Sequence, residues 1–140
     1  MKNSRFDRLY RKLVAVGLVI GWLLLFTATH LPSKQLPSGI ELPDKMIHYW
    51  AYTVLGLHFC LFIMSRAPKI SVGVQRCLLY VGPGIALYGA FDEITQPLTG
   101  RSCEFMDWVS DALGALTALT VTTTAYFLWK LLAREKPVAP

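Results

Sequence analysis

Four largely apolar runs alternate with short polar segments along the chain. The runs cover 13–30, 46–65, 77–96 and 108–129 and are 18 to 22 residues long. Because an α-helix rises about 1.5 Å per residue, about 20 residues span a hydrocarbon core of about 30 Å. The pattern therefore predicts an all-α integral membrane bundle of four transmembrane helices.

The segments between the runs carry signals that start and stop helices. Three prolines occur within 30–43, and Pro68 and Pro97 follow the second and third runs. Asp44 and Asp107 precede the second and fourth runs, where an aspartate side chain caps a helix and suits the positive end of its dipole. These signals support the same four helices, with loops at 30–43, 66–76 and 98–106.

Positive charge is distributed unevenly between the two sides of this bundle. The N-terminus at 1–12, the loop at 66–76 and the tail at 130–140 carry eleven of the fourteen Lys and Arg residues. The other side carries three Lys and Arg and seven of the nine acidic residues. Since cytoplasmic segments are enriched in Lys and Arg, both ends of the membrane domain at 13–129 are predicted to face the cytoplasm. The chain is therefore predicted to be a multi-pass protein of the inner (plasma) membrane.

Composition agrees with a membrane protein and argues against nucleic-acid binding. Hydrophobic residues make up 54% of the chain and charged residues only 16%, whereas about a quarter of the residues in soluble domains are charged. The net charge of +5 lies at the ends of the apolar runs, where topology accounts for it. The first run exceeds the roughly 7–15 residues of a signal-peptide core, so we predict an uncleaved helix. The expected partner is the lipid bilayer.

Two residue types inside the runs are interpreted as packing residues. His58 stands alone in the middle of the second run, and Cys60 and Cys77 lie in apolar surroundings as small fillers. Cys103 falls in a polar loop on the predicted outer side, as a free thiol. The cysteine spacing matches no metal motif and indicates no structural disulfide.

Polar residues recur at helical spacing near one end of three predicted helices. Side chains four residues apart lie on the same helix face. The stripes are Asp44, His48 and Tyr52; Tyr88, Asp92 and Gln96; and Asp107, Asp111 and Ala115. Glu93 is offset from its neighbour and is predicted to face a different helix. Because the spans alternate in direction, all three stripes are expected at the outer membrane face, where they form one acidic site.

Ionisable residues inside membrane spans are costly and are usually paired within the bundle. A nearby cation, Lys45 or Arg101, is predicted to pair with Asp92, Glu93 or Asp111, and His48 with a carboxylate. The predicted binding residues are Asp44, Lys45, His48, Tyr52, Asp92, Glu93, Gln96, Arg101, Asp107 and Asp111.

Three functions fit this set. A binding protein would hold an envelope lipid, a lipid-linked precursor or its head group, with Lys45 and Arg101 on the phosphate. An enzyme acting on an envelope lipid would use His48 with Asp92 or Glu93 as general acid and base. A structural or accessory subunit would use the network only to fix helix packing. We favour the non-enzymatic binding protein, because no known catalytic motif is present.

No catalytic residue, metal ligand or cofactor is therefore assigned. The three residues His48, Asp92 and Glu93 stand as catalytic candidates. A divalent metal held by His48 with one of these acids or with Asp111 is an open alternative, since oxygen-rich sites suit such ions.

The ordered motifs resemble the VanZ-like family of membrane proteins, over about 31–118. The matching motifs are Leu31-Pro32-Ser33, Asp44-Lys45-x-x-His48-x-x-x-Tyr52 with Leu55-Gly56, Tyr88-Gly89-x-x-Asp92-Glu93-x-x-Gln96, Gly100-Arg101, and Asp107 with Asp111 and Gly114. Two positions depart from the family pattern: Asp111 stands where Asn is usual, and Ala118 where Gly is expected. The first adds a negative charge, and the second changes packing.

The resemblance implies a four-helix inner-membrane protein. The family is named for a teicoplanin-resistance protein, so the resemblance also implies a link to glycopeptide resistance at the outer face of the membrane.

Overall fold

The computed structural model describes residues 4–30 and 44–134, and these residues form four α-helices. The helices are α1 (Ser4–Thr29), α2 (Asp44–Arg66), α3 (Ile70–Thr95) and α4 (Phe105–Arg134). A short 3-10 helix, Gln96–Thr99, extends the end of α3. All four α-helices are long and apolar enough to cross a membrane. The predicted all-α, four-span architecture is therefore confirmed.

The helices extend beyond the predicted apolar runs. α1 begins at Ser4 and α4 continues to Arg134, although both ends are rich in charge. The predicted loop at 66–76 is wrong except at 67–69, because α2 extends to Arg66 and α3 begins at Ile70. Charge keeps a residue out of hydrocarbon but does not prevent it from being helical, so the polar ends prolong the helices. Only 67–69, which contains Pro68, separates α2 from α3.

The predicted cap at Asp107 is also wrong in position. α4 begins at Phe105, so Asp107 lies in its first turn and not ahead of it. The carboxylate still lies near the positive end of the helix dipole. α2 does begin at Asp44, as predicted, whereas most of the predicted loop at 30–43 lies outside the described residues.

α2 and α4 make the most extensive contact of any helix pair. Small residues bring their backbones together: a Cβ added to Gly114 would lie 2.5 Å from the carbonyl oxygen of Tyr49. A Cβ added to Gly56 would lie 2.8 Å from the Cβ of Ala118, which is fully buried. Close approach through small residues is how membrane helices gain packing energy. It also fixes the depth at which the polar residues of α2 face those of α4.

The apolar core lies between α2, α3 and α4, with α1 against one side. It includes Tyr52, Leu55, Val81, Ile85 and Ala115, which are at most 5% exposed. Gly100 closes the 3-10 helix with a φ of +80°, and its N–H donates to the carbonyls of Gln96 and Pro97. This left-handed position favours glycine and turns the chain from α3 towards α4.

Candidate functional site at the polar end of the bundle

Seven of the ten predicted site residues are buried together at the end of the bundle where α3 leads into α4. We call them the polar cluster: His48, Tyr52, Asp92, Glu93, Gln96, Asp107 and Asp111. Each is at most 3% exposed. The predicted juxtaposition of the three stripes is therefore correct, and the buried polar groups are far more concentrated than in the rest of the bundle.

His48 connects α2 with both other helices of the cluster. Its Nδ1 lies 2.9 Å from Asp111 Oδ1 and 3.9 Å from Glu93 Oε1. An ionised carboxylate only accepts hydrogen bonds, so Nδ1 carries the proton in this contact. Nε2 has no hydrogen-bond partner among the described residues. The prediction that His48 pairs with a carboxylate is thus correct. The His48 ring also stacks on Tyr52, at 6.2 Å between centroids.

Glu93 and Asp92 face different neighbours, as their offset predicted. Glu93 Oε1 accepts a hydrogen bond from Gln96 Nε2 at 3.0 Å, and its Oε2 accepts one from the backbone N–H of Glu104 at 2.9 Å. Glu104 directly precedes α4. The Glu93 carboxylate therefore lies at the positive end of the α4 dipole, which offsets its unfavourable position at the end of α3.

Asp92 faces α1 instead. The Thr29 hydroxyl donates to Asp92 Oδ1 at 2.9 Å, and His30 Nδ1 lies 3.6 Å from the same oxygen. His30 Nε2 lies 3.0 Å from the hydroxyl oxygen of Thr95. Sequence reasoning missed Thr29 and His30, although both end the first helix on the predicted outer side. Their position next to the polar stripes was the signal that could have identified them.

Two ion pairs lie above the cluster, and we call them the rim pairs; three of their four side chains are about half exposed, whereas the Arg101 side chain is 9% exposed. Arg101 pairs with Asp44, and Lys45 hydrogen-bonds to Glu104 at 3.1 Å. Lys45 Nζ also lies 3.5 Å from Asp107 Oδ1. The prediction that Lys45 or Arg101 pairs with Asp92, Glu93 or Asp111 is therefore wrong. The reason is geometric, since both cations lie at helix or loop ends, above the buried carboxylates.

The pair with Lys45 affects the titration of Glu104, which lies outside the helices. The hydrogen bond and positive charge of Lys45 hold the pKa of the Glu104 carboxyl below its usual value. Both side chains are about half exposed, so solvent screens the interaction. Sequence reasoning missed Glu104 as a participant, although it is the only acid between Arg101 and Asp107.

Several buried polar atoms of the cluster have no hydrogen-bond partner within the described part of the chain. These are His48 Nε2, the Tyr52 hydroxyl, Gln96 Oε1, Asp107 Oδ1 and Asp111 Oδ2. An unpaired buried polar group costs about 1–3 kcal/mol, and native proteins keep few of them. Five in one cluster indicate a site with free binding capacity.

Two overlapping groups of side chains have the spacing of metal ligands. One ligand atom each from His48, Asp92 and Glu93 lie within 4.8 Å of one another, and all three residues are buried. Asp44, His48 and Asp107 form the second group, which includes the exposed Asp44. The cluster could thus hold a cation or position a proton-transfer group.

Two apolar grooves lie away from the polar cluster. One, of about 450 Å³, runs between α2 and α4 towards their other ends and includes Cys60, Met64, Tyr126 and Trp129. The other, of about 220 Å³, lies between α1 and α3 beside Trp22. No predicted site residue lines either groove. His58 faces α1, next to Gly17, as expected for a packing residue.

Comparisons of the chain with protein-family models, with curated proteins and with solved structures find no match.

Proposed function

We propose that the chain is a multi-pass inner-membrane protein that binds an envelope lipid or its head group at the outer membrane face. The observation that supports this most directly is the polar cluster, in which five buried atoms have no hydrogen-bond partner among the described residues. One of them, Asp107 Oδ1, lies 3.5 Å from Lys45 Nζ, and the other four form no ion pair with these residues. A network that served only to fix helices would be expected to satisfy its own polar groups, since unsatisfied ones destabilise the fold. Unused hydrogen-bonding capacity favours a ligand.

The rim pairs support the entry of a phosphate-bearing head group. Lys45 and Arg101 lie at the cluster's exposed side, where an arriving phosphate would compete with Glu104 and Asp44 for them. Arg and phosphate form paired hydrogen bonds that are stronger than neutral ones. The cations are therefore positioned to exchange a carboxylate partner for a lipid phosphate.

Binding to a phospholipid tests this proposal. The purified protein is mixed with phosphatidylglycerol or with diacylglycerol, which has the same tails without the phosphate, and bound lipid is measured by native mass spectrometry. We expect selective binding of phosphatidylglycerol, weakened about 10-fold or more in Arg101→Gln, as for loss of one charged hydrogen bond. Arg66→Gln is the matched control, because Arg66 lies at the opposite end of α2. Equal binding of both lipids would contradict the proposal.

The geometry of His48 and Asp111 favours one alternative function. A carboxylate 2.9 Å from Nδ1 and a free Nε2 orient an imidazole as a general base. The alternative is an enzyme acting on an envelope lipid, with Asp92 or Glu93 as the acid. It is tested by incubating the protein with envelope lipid extract and analysing the products by mass spectrometry. Turnover that is lost in His48→Gln would favour the enzyme over the binding protein.

The link to teicoplanin resistance rests on the VanZ-like resemblance alone. Expression of the chain in a susceptible host, followed by measurement of the inhibitory teicoplanin concentration, tests it separately. An unchanged concentration would remove the resistance proposal and leave lipid binding to be judged by its own assay.

A further inference from the structure

Negative charge is concentrated in the inner part of the polar cluster. Asp92, Glu93 and Asp111 are buried, and within residues 4–30 and 44–134 their only ion-pair partners are His30 and His48. Three buried carboxylates against two imidazoles leave a negative balance even if both imidazoles are protonated. A buried charge without compensation is costly, so this region requires a further cation or bound protons.

The ligand atoms of His48, Asp92 and Glu93 already have a suitable spacing. They lie within 4.8 Å of one another, and ligands on opposite sides of a divalent ion are about 4–5 Å apart. The three residues come from two helices that pack together, so the set does not depend on a loop. Small side-chain adjustments would bring the three atoms around one ion.

The neighbours of these residues are arranged as outer partners of metal ligands usually are. Gln96 Nε2 lies 3.0 Å from Glu93 Oε1 and 3.5 Å from Asp92 Oδ2, and so holds both carboxylates. His48 is 1% exposed, and its Nε2 has no hydrogen-bond partner among the described residues. His48 is held by Asp111, the carboxylate–histidine arrangement that orients a metal-binding imidazole.

We propose that His48, Asp92 and Glu93 bind one divalent cation, with Gln96 holding the two carboxylates in position. One imidazole and two carboxylates suit Zn²⁺ or Mn²⁺ better than Ca²⁺ or Mg²⁺, which prefer oxygen ligands alone. The site deepens the proposed lipid-binding function and depends on it for its role. The ion would neutralise the buried carboxylates and present positive charge to a phosphate entering past Lys45 and Arg101.

Metal binding is measured on the full chain in detergent after treatment with a chelator. Mn²⁺ is followed by electron paramagnetic resonance and Zn²⁺ by isothermal titration calorimetry. We expect one ion per chain. Loss of a ligand in Glu93→Gln or Asp92→Asn should weaken binding by about 100-fold or more, since loss of an outer partner alone costs about 10–100-fold. Circular dichroism and size-exclusion chromatography verify that each variant is folded.

Glu104→Gln is the control, because the Glu104 side chain is 47% exposed and only its backbone N–H contacts Glu93. It should bind the ion as wild type does. Absence of stoichiometric binding to the wild type, or equal binding by folded Glu93→Gln, would overturn the metal site. Selective phosphatidylglycerol binding by the chelator-treated protein would leave the lipid proposal standing without the metal. Metal binding without selective phosphatidylglycerol binding would leave the metal site standing and contradict the lipid proposal.

Discussion

His48 Nδ1 and Asp111 Oδ1 lie 2.9 Å apart across the interface of α2 and α4, and both side chains are at most 1% exposed. The contact joins the two helices at the depth of the other buried acids. Asp111 also lies beside α3, since a Cβ added to Gly89 would be 2.8 Å from its Oδ2. The Asp111 carboxylate, which belongs to α4, thus contacts both α2 and α3, the other two helices of the polar cluster.

Substitution of Asp111 should reveal how much of this contact is structural. Asp111→Ala leaves His48 buried without its partner, and breaking a buried charged pair costs about 3–5 kcal/mol. Asp111→Asn keeps an oxygen that accepts from Nδ1–H, so we expect a loss of about 1 kcal/mol. The free energy of unfolding in detergent measures both. Equal stability of the alanine variant and wild type would show that the contact does not stabilise the fold.

Gly114 should be intolerant of a side chain. Its added Cβ would lie 2.5 Å from Tyr49 O and 2.9 Å from Thr53 N, both backbone atoms that cannot rotate away. Gly114→Ala should therefore separate α2 from α4 and lower the unfolding free energy by about 1–3 kcal/mol. Gly21→Ala is the control, because nothing lies within 4 Å of that Cβ. It should leave stability unchanged or slightly higher. Equal behaviour of the two variants would contradict the close helix approach.

Cysteine labelling tests the predicted orientation. Cys103 is exposed, whereas Cys60 and Cys77 are buried. If the connection between α3 and α4 faces outward, a membrane-impermeant maleimide should label Cys103 in intact cells. In the Cys103→Ser background, Ser71→Cys at the start of α3 should react only after the cells are permeabilised. The opposite pattern of labelling would invert the topology.

The pair between Lys45 and Glu104 should make a pH-dependent contribution to stability. Its hydrogen bond holds the pKa of Glu104 below the usual 4.5. A carboxyl pKa that is lower in the folded than in the unfolded state stabilises the fold at pH values above the unfolded-state pKa. This stabilisation is lost as the pH falls through the folded-state pKa. Wild type should therefore exceed Glu104→Gln slightly in unfolding temperature near neutral pH and match it in acid. A difference in unfolding temperature that persists in acid would show that it does not arise from the Lys45–Glu104 pair.

The sequence predicted the four helices and the juxtaposition of their polar stripes, because helical periodicity fixes which residues share a face. It also predicted that Glu93 and Asp92 contact different helices. It could not predict the partners of the charged residues, since those depend on how far each helix extends and how deeply it packs. Lys45 and Arg101 end above the buried acids, while Thr29 from α1 reaches Asp92. The partners are set by contacts between helices that are distant in sequence, and helical periodicity gives no information about those contacts.

In the proposed function, the polar cluster binds a ligand and is not only a packing network. The most direct measurement is phosphatidylglycerol binding by native mass spectrometry for folded Asp92→Asn beside wild type, with unfolding temperature recorded on the same samples. Asn keeps the shape of Asp and can accept from Thr29, so we expect a folded protein whose lipid binding is weakened about 10-fold or more. A variant that unfolds, or one that stays folded and binds the lipid as wild type does, would contradict the claim.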